Sequence, residues 1–474
     1  MRSKRLPFLI LTLLLAIALF PIGCTGPANC PLCGTTQNDA VTIIDVMGVP
    51  GAAGPGGKPF TVFDLGLVDP ANHRYYVTDR SQNAVLVYDT LTDTPSVIGP
   101  DVPGVGQIGQ GVFTGAICCE PNRSTNFNEL TGPNGVIRTP GAQGLGTSKF
   151  GLAWVSDGDS TVKVFDAATG AMVSKVVVGV SADFGAVLTP DGIEACIRGT
   201  NPASCGDFRA DETSWDPADN ILLVSNGDPG VPFVTLIDTT NPTCTNNSCV
   251  LSQTFFDGTS TPGTIPCPLG TGVLGAIGQV VTCADAPGGQ GGIGGSAFNP
   301  KTGRFLVANT QNTSNPADSE VTEINPKTGK VTNDFQLAGL GCQPSFIVVG
   351  PSPNVLVACE NFAGPITFRP SEIVINGTTG KVIATITQVG GVDQAAFNST
   401  DNRYYVAARD NPTGPVLGVI DAVTNTWLQN VPTGANAHSV AADPITNHIF
   451  VPLQPAPSCR AFATFGCIAV YAAQ

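Results

Sequence analysis

The sequence predicts an all-β protein: a seven-bladed β-propeller of four-stranded antiparallel blades, its terminal blade closed by an N-terminal strand. Three observations lead there. A five-residue turn recurs between apolar strands, as DTLTD at Asp89 to Asp93, DAATG at Asp166 to Gly170, NPKTG at Asn325 to Gly329, NGTTG at Asn376 to Gly380 and DAVTN at Asp421 to Asn425. Each copy follows an alternating strand, and about ten residues earlier lies a second strand ending in small polar residues (YYVTD, AWVSD, FLVAN, VLVAC, YYVAA), giving a period of roughly 45 residues. The composition agrees, since 56 Gly and 39 Pro with 12% charged residues in a chain of 474 describe a turn-rich, β-like protein.

Residues 1–24 read as an export signal. Met1 to Arg5 is basic, Leu6 to Phe20 is an apolar stretch too short to span comfortably as a mature helix, and Gly23 precedes Cys24. The end of the stretch, Phe20-Pro-Ile-Gly-Cys24, resembles a bacterial lipobox, although Pro21 stands where an aliphatic residue is usual. That resemblance implies lipidation at Cys24 and an anchored protein, not a spanning one. Residues 25–39 then form a tether, and 40–474 a single propeller.

Val41 to Asp45 (VTIID) is a strand with no partner nearby, and the last repeat stops one strand short after Cys467 to Tyr471. Pairing the two completes the terminal blade and removes exposed edges. Between them, the second strands centre on Val77, Val155, Val224, Val307, Val357, Val406 and Val451, which sets the blade count. Before most of these comes a short apolar strand ending in an Asx-led turn, at Asp69-Pro70, Asp216-Pro217, Asn299-Pro300, Asn398-Ser399 and Asp443-Pro444. In the recurring five-residue turn, the leading Asp or Asn suits an Asx-turn and the closing Gly or Asn tolerates left-handed φ, so these acids belong to hairpin geometry. Two insertions, near 100–148 and 240–292, interrupt the period; the Gly-rich run Gly288 to Gly295 lacks the strand-to-helix setting of a nucleotide loop.

The formal charge of −14 argues against a nucleic-acid partner, because phosphate binding needs clustered Lys and Arg. Fifteen cysteines leave fourteen once Cys24 is set aside, a number an oxidising compartment tends to pair. Close neighbours suggest local bridges (Cys196 with Cys205, Cys244 with Cys249, Cys267 with Cys283, Cys342 with Cys359, Cys459 with Cys467), while Cys30, Cys33, Cys118 and Cys119 remain. Connectivity stays open. Gly34 occupies the position where a haem-attachment CxxCH motif needs His.

The segments YYVTDRSQNAVLVYDTLTD (Tyr75 to Asp93) and WVSDGDSTVKVFDAATGAMVSKVVVG (Trp154 to Gly179) resemble the YVTN-repeat family of extracytoplasmic β-propeller proteins, and degraded copies cover nearly all of the mature chain. The resemblance implies fold more than activity. With only His73, His438 and His448, the chain is poor in haem ligands, and the docking Trp of quinoprotein repeats is missing after Gly170, Gly329 and Gly380. Propeller geometry places a ligand site at the funnel mouth, lined by the entries to the innermost strands and the loops after the second strands. Candidate funnel residues are Glu212, Asn309, Gln343, Glu360, Asp393 and His438, with Asp79, Asp157, Asn226, Asn361, Gln394 and Arg409 in the wider pool. Hard oxygen donors of this kind suit Ca²⁺ or Mg²⁺. No catalytic constellation shows in the sequence. The expectation is an exported, lipid-anchored binding or scaffold module of the cell envelope, without a cofactor and with an unknown protein or small-molecule ligand; the alternative is a metal-dependent lactonase-like hydrolase.

Overall fold

The computed structural model describes residues 40–53, 57–96, 106–116, 131–140, 150–178, 209–227, 232–256, 280–284, 292–309, 319–337, 339–360 and 371–473. Residues 1–39, with Cys24 and the tether, lie outside this set, as do Cys30, Cys33, Cys118, Cys119, Cys196, Cys205, Cys267 and Asn361.

Seven antiparallel sheets follow one another along the chain, as expected. Their innermost strands, in order for blades 1 to 7, are Phe63–Asp69, Val136–Thr139, Ala210–Asp216, Ile293–Asn299, Gln343–Val349, Ala395–Asn398 and Ala441–Ala442. Each touches the next and the seventh touches the first, so the ring is closed. The N-terminal strand Val41–Gly48 pairs antiparallel with Cys467–Ala473 as the outermost strand of blade 7. Closure thus joins the two ends of the propeller in one sheet and leaves no open edge in the ring.

The second and third strands read as near-continuous apolar runs because each is covered on both faces by neighbouring blades. Arg74–Asp79 and Ile221–Asn226 are buried throughout. Seven apolar clusters result, one in each seam between blades; Tyr76 and Val87 of blade 1, for example, meet Val155 and Phe165 of blade 2. The fourth strands face solvent on one side and are mixed, as in Val331–Gln336.

The five-residue turns behave as the sequence indicates. The carboxylate of Asp421 accepts from the backbone N–H of Val423 (2.9 Å) and Thr424 (2.7 Å), and Asp166 and Asn376 do the same in their own turns. Gly170, Gly329, Gly380 and Asn425 close them with φ between 56° and 71°. The turns also tie blades together, because the carbonyl of the second turn residue accepts a side chain from the preceding blade. Arg74 donates to Ala167, Asn299 to Gly377 and Asn354 to Ala422.

Within the stretch 100–148, Gln107–Ile108 pairs with the third strand of blade 1, and Val136–Thr139 is the innermost strand of blade 2. Within 240–292, Val250–Phe256 is the fourth strand of blade 3 and Val280–Ala284 adds a parallel fifth. Three of the suggested disulfides form: Cys244–Cys249, Cys342–Cys359 and Cys459–Cys467.

Candidate functional site

The funnel mouth is built by an irregularity in the innermost strands. In blade 3 the ladder pairs Ala210 with Asn226 and Thr213 with Val224, so Asp211 and Glu212 together oppose the single residue Ser225. Blade 1 carries the same bulge at Asp64-Leu65, and blade 4 at Gly294-Gly295. A bulge breaks the two-residue alternation and re-aims side chains, which is how consecutive acids come to sit together in the funnel. In five of the seven blades an Asx ends the innermost strand or follows it directly, and counting back from it gives a common offset of five: Asp64 before Asp69, Asp211 before Asp216, Gly294 before Asn299, Asp393 before Asn398 and His438 before Asp443. This ring of equivalent positions supplies most of the mouth.

The residue just past the second strand supplies much of the rest. In blade 1 it is Arg80, which pairs with Asp64 and also donates to Asn134 Oδ1 of blade 2 (Nη2 at 2.6 Å). In blade 6 the equivalent residue is Arg409, whose Nη1 lies 2.9 Å from Asp393 and whose Nη2 donates to Glu360 at 2.8 Å. Asp410 is a third partner at 3.3 Å. Arg209, at the entry to blade 3, reaches both Asp211 (3.0 Å) and Asp64 (3.5 Å). Burial alone would neutralise Asp64, but the ion pair with Arg80, together with His438 Nε2 at 3.8 Å and the charge of Arg209, outweighs it and holds the carboxyl well below the usual range.

Glu212 is different. Burial first, then the charges of Asp211, Asp64 of blade 1 and Asp393 of blade 6, push it well above the ordinary carboxylate value, with Arg209 opposing through space. The charges of Asp64 in blade 1 and Asp393 in blade 6 thus reach a side chain of blade 3, and Arg209 ties Asp64 to Asp211 directly. Glu212 is 8% exposed, and its Oε2 is buried without a hydrogen-bond partner. Glu360 is raised to about 7 by burial and by Asp393, against the pull of Arg409.

Along the axis lies a cavity of about 210 Å³, lined by the residues that follow the charged positions on each inner strand: Leu65 and Leu67, Val136, Thr213, Phe346, Gln394 and Val440 among them. Gln394 spans it. Its Oε1 accepts from Ser439 Oγ (2.6 Å) and Val440 N (3.1 Å) of blade 7, and its Nε2 donates to the Gly66 carbonyl of blade 1 (2.9 Å).

Glu212, Glu360, Asp393 and His438 therefore lie at the mouth, and Gln343 pairs with Glu360 across the ladder of blade 5. His438 is a seam residue: its ring stacks on Phe63 at 4.7 Å, Nδ1 lies 2.7 Å from the Asn436 carbonyl, and Nε2 lies 3.2 Å from the Phe63 carbonyl. Asn309 ends the second strand of blade 4. It is fully buried and donates to Glu320 and Thr322 of its own blade. Asp79 and Asp157 are likewise absorbed, the first by Ser81 and Gln82, the second by Lys163 and Thr114. Sequence reasoning did not single out Asp64, Arg80, Arg209 or Asp211, although the shared offset before the Asx turn marks two of them. Among the described residues, no three His, Cys, Asp or Glu side chains gather as a metal-ion site.

No protein-family model matches the chain, and no curated protein matches it. Among solved structures, a chain of the "Crystal Structure of Mitotic Checkpoint Complex" aligns over 90% of this chain and 93% of its own length, with a TM-score of 0.51 and 9% identity. At that identity the likeness concerns the fold alone. Matches extend to 1318 solved chains, a breadth at which fold ceases to discriminate between activities.

Proposed function

We propose that this protein is an exported, lipid-anchored binding module of the cell envelope whose ligand site is the charged funnel mouth. The observation that carries the reading is the set of charges contributed by separate blades, Asp64, Asp211, Glu212 and Asp393 with Arg209 and Arg409, beside an axial cavity of mixed polar and apolar lining. A mostly apolar hollow with a few convergent polar groups is the usual form of a ligand site. The likeness of its repeats to YVTN propellers, the signal-like N-terminus and the three disulfides support an extracytoplasmic setting. Among the described residues no helix is long and apolar enough to cross a membrane.

Two experiments test this. Replacing Cys24 by Ser is expected to move the protein from the membrane fraction to the soluble one; an unchanged distribution overturns the anchor. A thermal-shift screen of small molecules and oligosaccharides from envelope extracts is expected to yield ligands whose effect disappears in Asp211→Asn or Asp393→Asn. Chelator-sensitive turnover of a lactone panel, with no funnel-dependent ligand, would overturn the binding-module reading.

A further inference from the structure

Charge at the mouth is unequally shared. Every guanidinium there is already engaged: Arg80 by Asp64 and Asn134, Arg209 by Asp64 and Asp211, Arg409 by Glu360, Asp393 and Asp410. Glu212 presents a buried oxygen, Oε2, that no donor meets. A buried polar atom without a partner costs roughly 1–3 kcal/mol, so a missing donor is the simplest account of the site. An anionic ligand would have to displace a carboxylate from one of these arginines, whereas a cationic donor complements Glu212 Oε2 directly. An inorganic cation needs several oxygen ligands at close range, and no such group is present among the described residues. An ammonium or guanidinium group needs only one carboxylate oxygen and neighbouring negative charge.

Below this point the lining changes character. Thr213 follows Glu212 and Leu65 follows Asp64, and both line the axial cavity together with Val136, Phe346 and Val440. A volume of about 210 Å³ holds a short hydrocarbon body and excludes a folded partner. Resting on the binding-module reading above, we propose that the funnel takes an amphipathic organic amine, its cationic head on Glu212 Oε2 between Asp211 and Asp393 and its aliphatic body in the axial cavity.

The pH dependence follows from the surroundings of Glu212. The groups facing it are Asp211 and Arg209 of blade 3, Asp64 of blade 1 and Asp393 of blade 6. In the empty site burial and the neighbouring acids favour the protonated carboxyl, whereas a cation favours the ionised form, so binding shifts Glu212 towards releasing its proton. Affinity then rises with pH until the free site itself ionises, by up to about tenfold per unit.

The test is calorimetric titration of the full chain with n-hexylammonium, with ethylammonium, hexanoate and calcium chloride as comparators, at several pH values. Hexylammonium is expected to bind, to gain about fourfold per methylene over ethylammonium, and to tighten as pH rises. Glu212→Gln is expected to lose at least about tenfold in affinity and the pH dependence, with an unchanged circular dichroism spectrum. Hexylammonium binding that Glu212→Gln leaves intact overturns the inference, as does a Glu212-dependent response to calcium. Binding of hexanoate alone, abolished by Arg409→Ala, also overturns it but leaves the binding-module reading standing. Silence from every probe overturns the amine, while the extract screen judges the broader reading separately.

Discussion

Asp421 and Glu212 occupy opposite ends of the strands, and their surroundings differ in kind. Asp421 closes a third strand, and its carboxylate accepts two backbone N–H groups of the turn it begins. Glu212 opens an innermost strand, is pressed among other acids, and leaves Oε2 without a donor. One end of the propeller uses its acids as parts of hairpins, satisfied within five residues of chain. The other holds acids whose partners come from other blades. A third carboxyl sharpens the contrast: Asp79 is also buried and raised to about 7, yet it accepts from Ser81 N, Gln82 N and Gln82 Nε2. Burial and a raised pKa therefore do not by themselves mark a ligand site.

The largest expected effect tests the absorbed carboxyl. Because the folded state binds the proton of Asp79 more tightly than the unfolded chain, its contribution is fully present below about pH 4 and is lost as pH rises through about 7. Denaturant unfolding of Asp79→Asn, which keeps an amide oxygen for the same donors, should show the wild type losing on the order of 4 kcal/mol relative to the variant over that window. A constant difference across pH would mean that Asp79 is ionised throughout.

Removing a partner at the mouth comes next. Arg80→Ala leaves Asp64 buried with only Arg209 and His438 nearby, and is expected to cost about 3 kcal/mol. Replacing Cys342 and Cys359 together by Ser opens a loop with a sequence separation of 17, beside Gln343 and Glu360. The expected loss is about 3 kcal/mol of stability, and weaker ligand binding would show that the bridge also positions the mouth.

At the turn end, Asp421→Ala is expected to cost only about 1 kcal/mol with no change in ligand affinity, read by denaturant midpoint and titration. The smallest effect belongs to Glu212→Gln at low pH, where burial and the neighbouring acids favour the neutral carboxyl that Gln mimics. Stability should shift by less than about 0.5 kcal/mol, although binding is lost. A large loss there would reassign Glu212 to the framework.

Much of the fold was legible because its signals are local. The Asx turns, the left-handed Gly and Asn that close them, and the doubly covered apolar strands each follow from a few adjacent residues, and so does the pairing of Cys459 with Cys467. Glu212, Glu360, Asp393 and His438 were legible as mouth residues because they stand at the entry to a first strand or the end of a second. Asn309 shares that position type, and it is fully buried and donates to Glu320 and Thr322 on the adjacent strand. Asp64 and Asp211 were hidden by the bulge, which is a property of the ladder between two strands and leaves no mark in the alternation of either one.

The sequence by itself determined the number of blades, the chemistry of their turns and the strand that closes the ring, since each depends on contacts within one repeat or between the chain ends. Only the tertiary structure decided which acids meet. Asp64, Glu212 and Asp393 are separated by well over a hundred residues; ring closure brings their innermost strands to one axis, and bulges in blades 1 and 3 re-aim Asp64 and Glu212. Electrostatic repulsion and burial act there on distances that no segment of chain encodes alone.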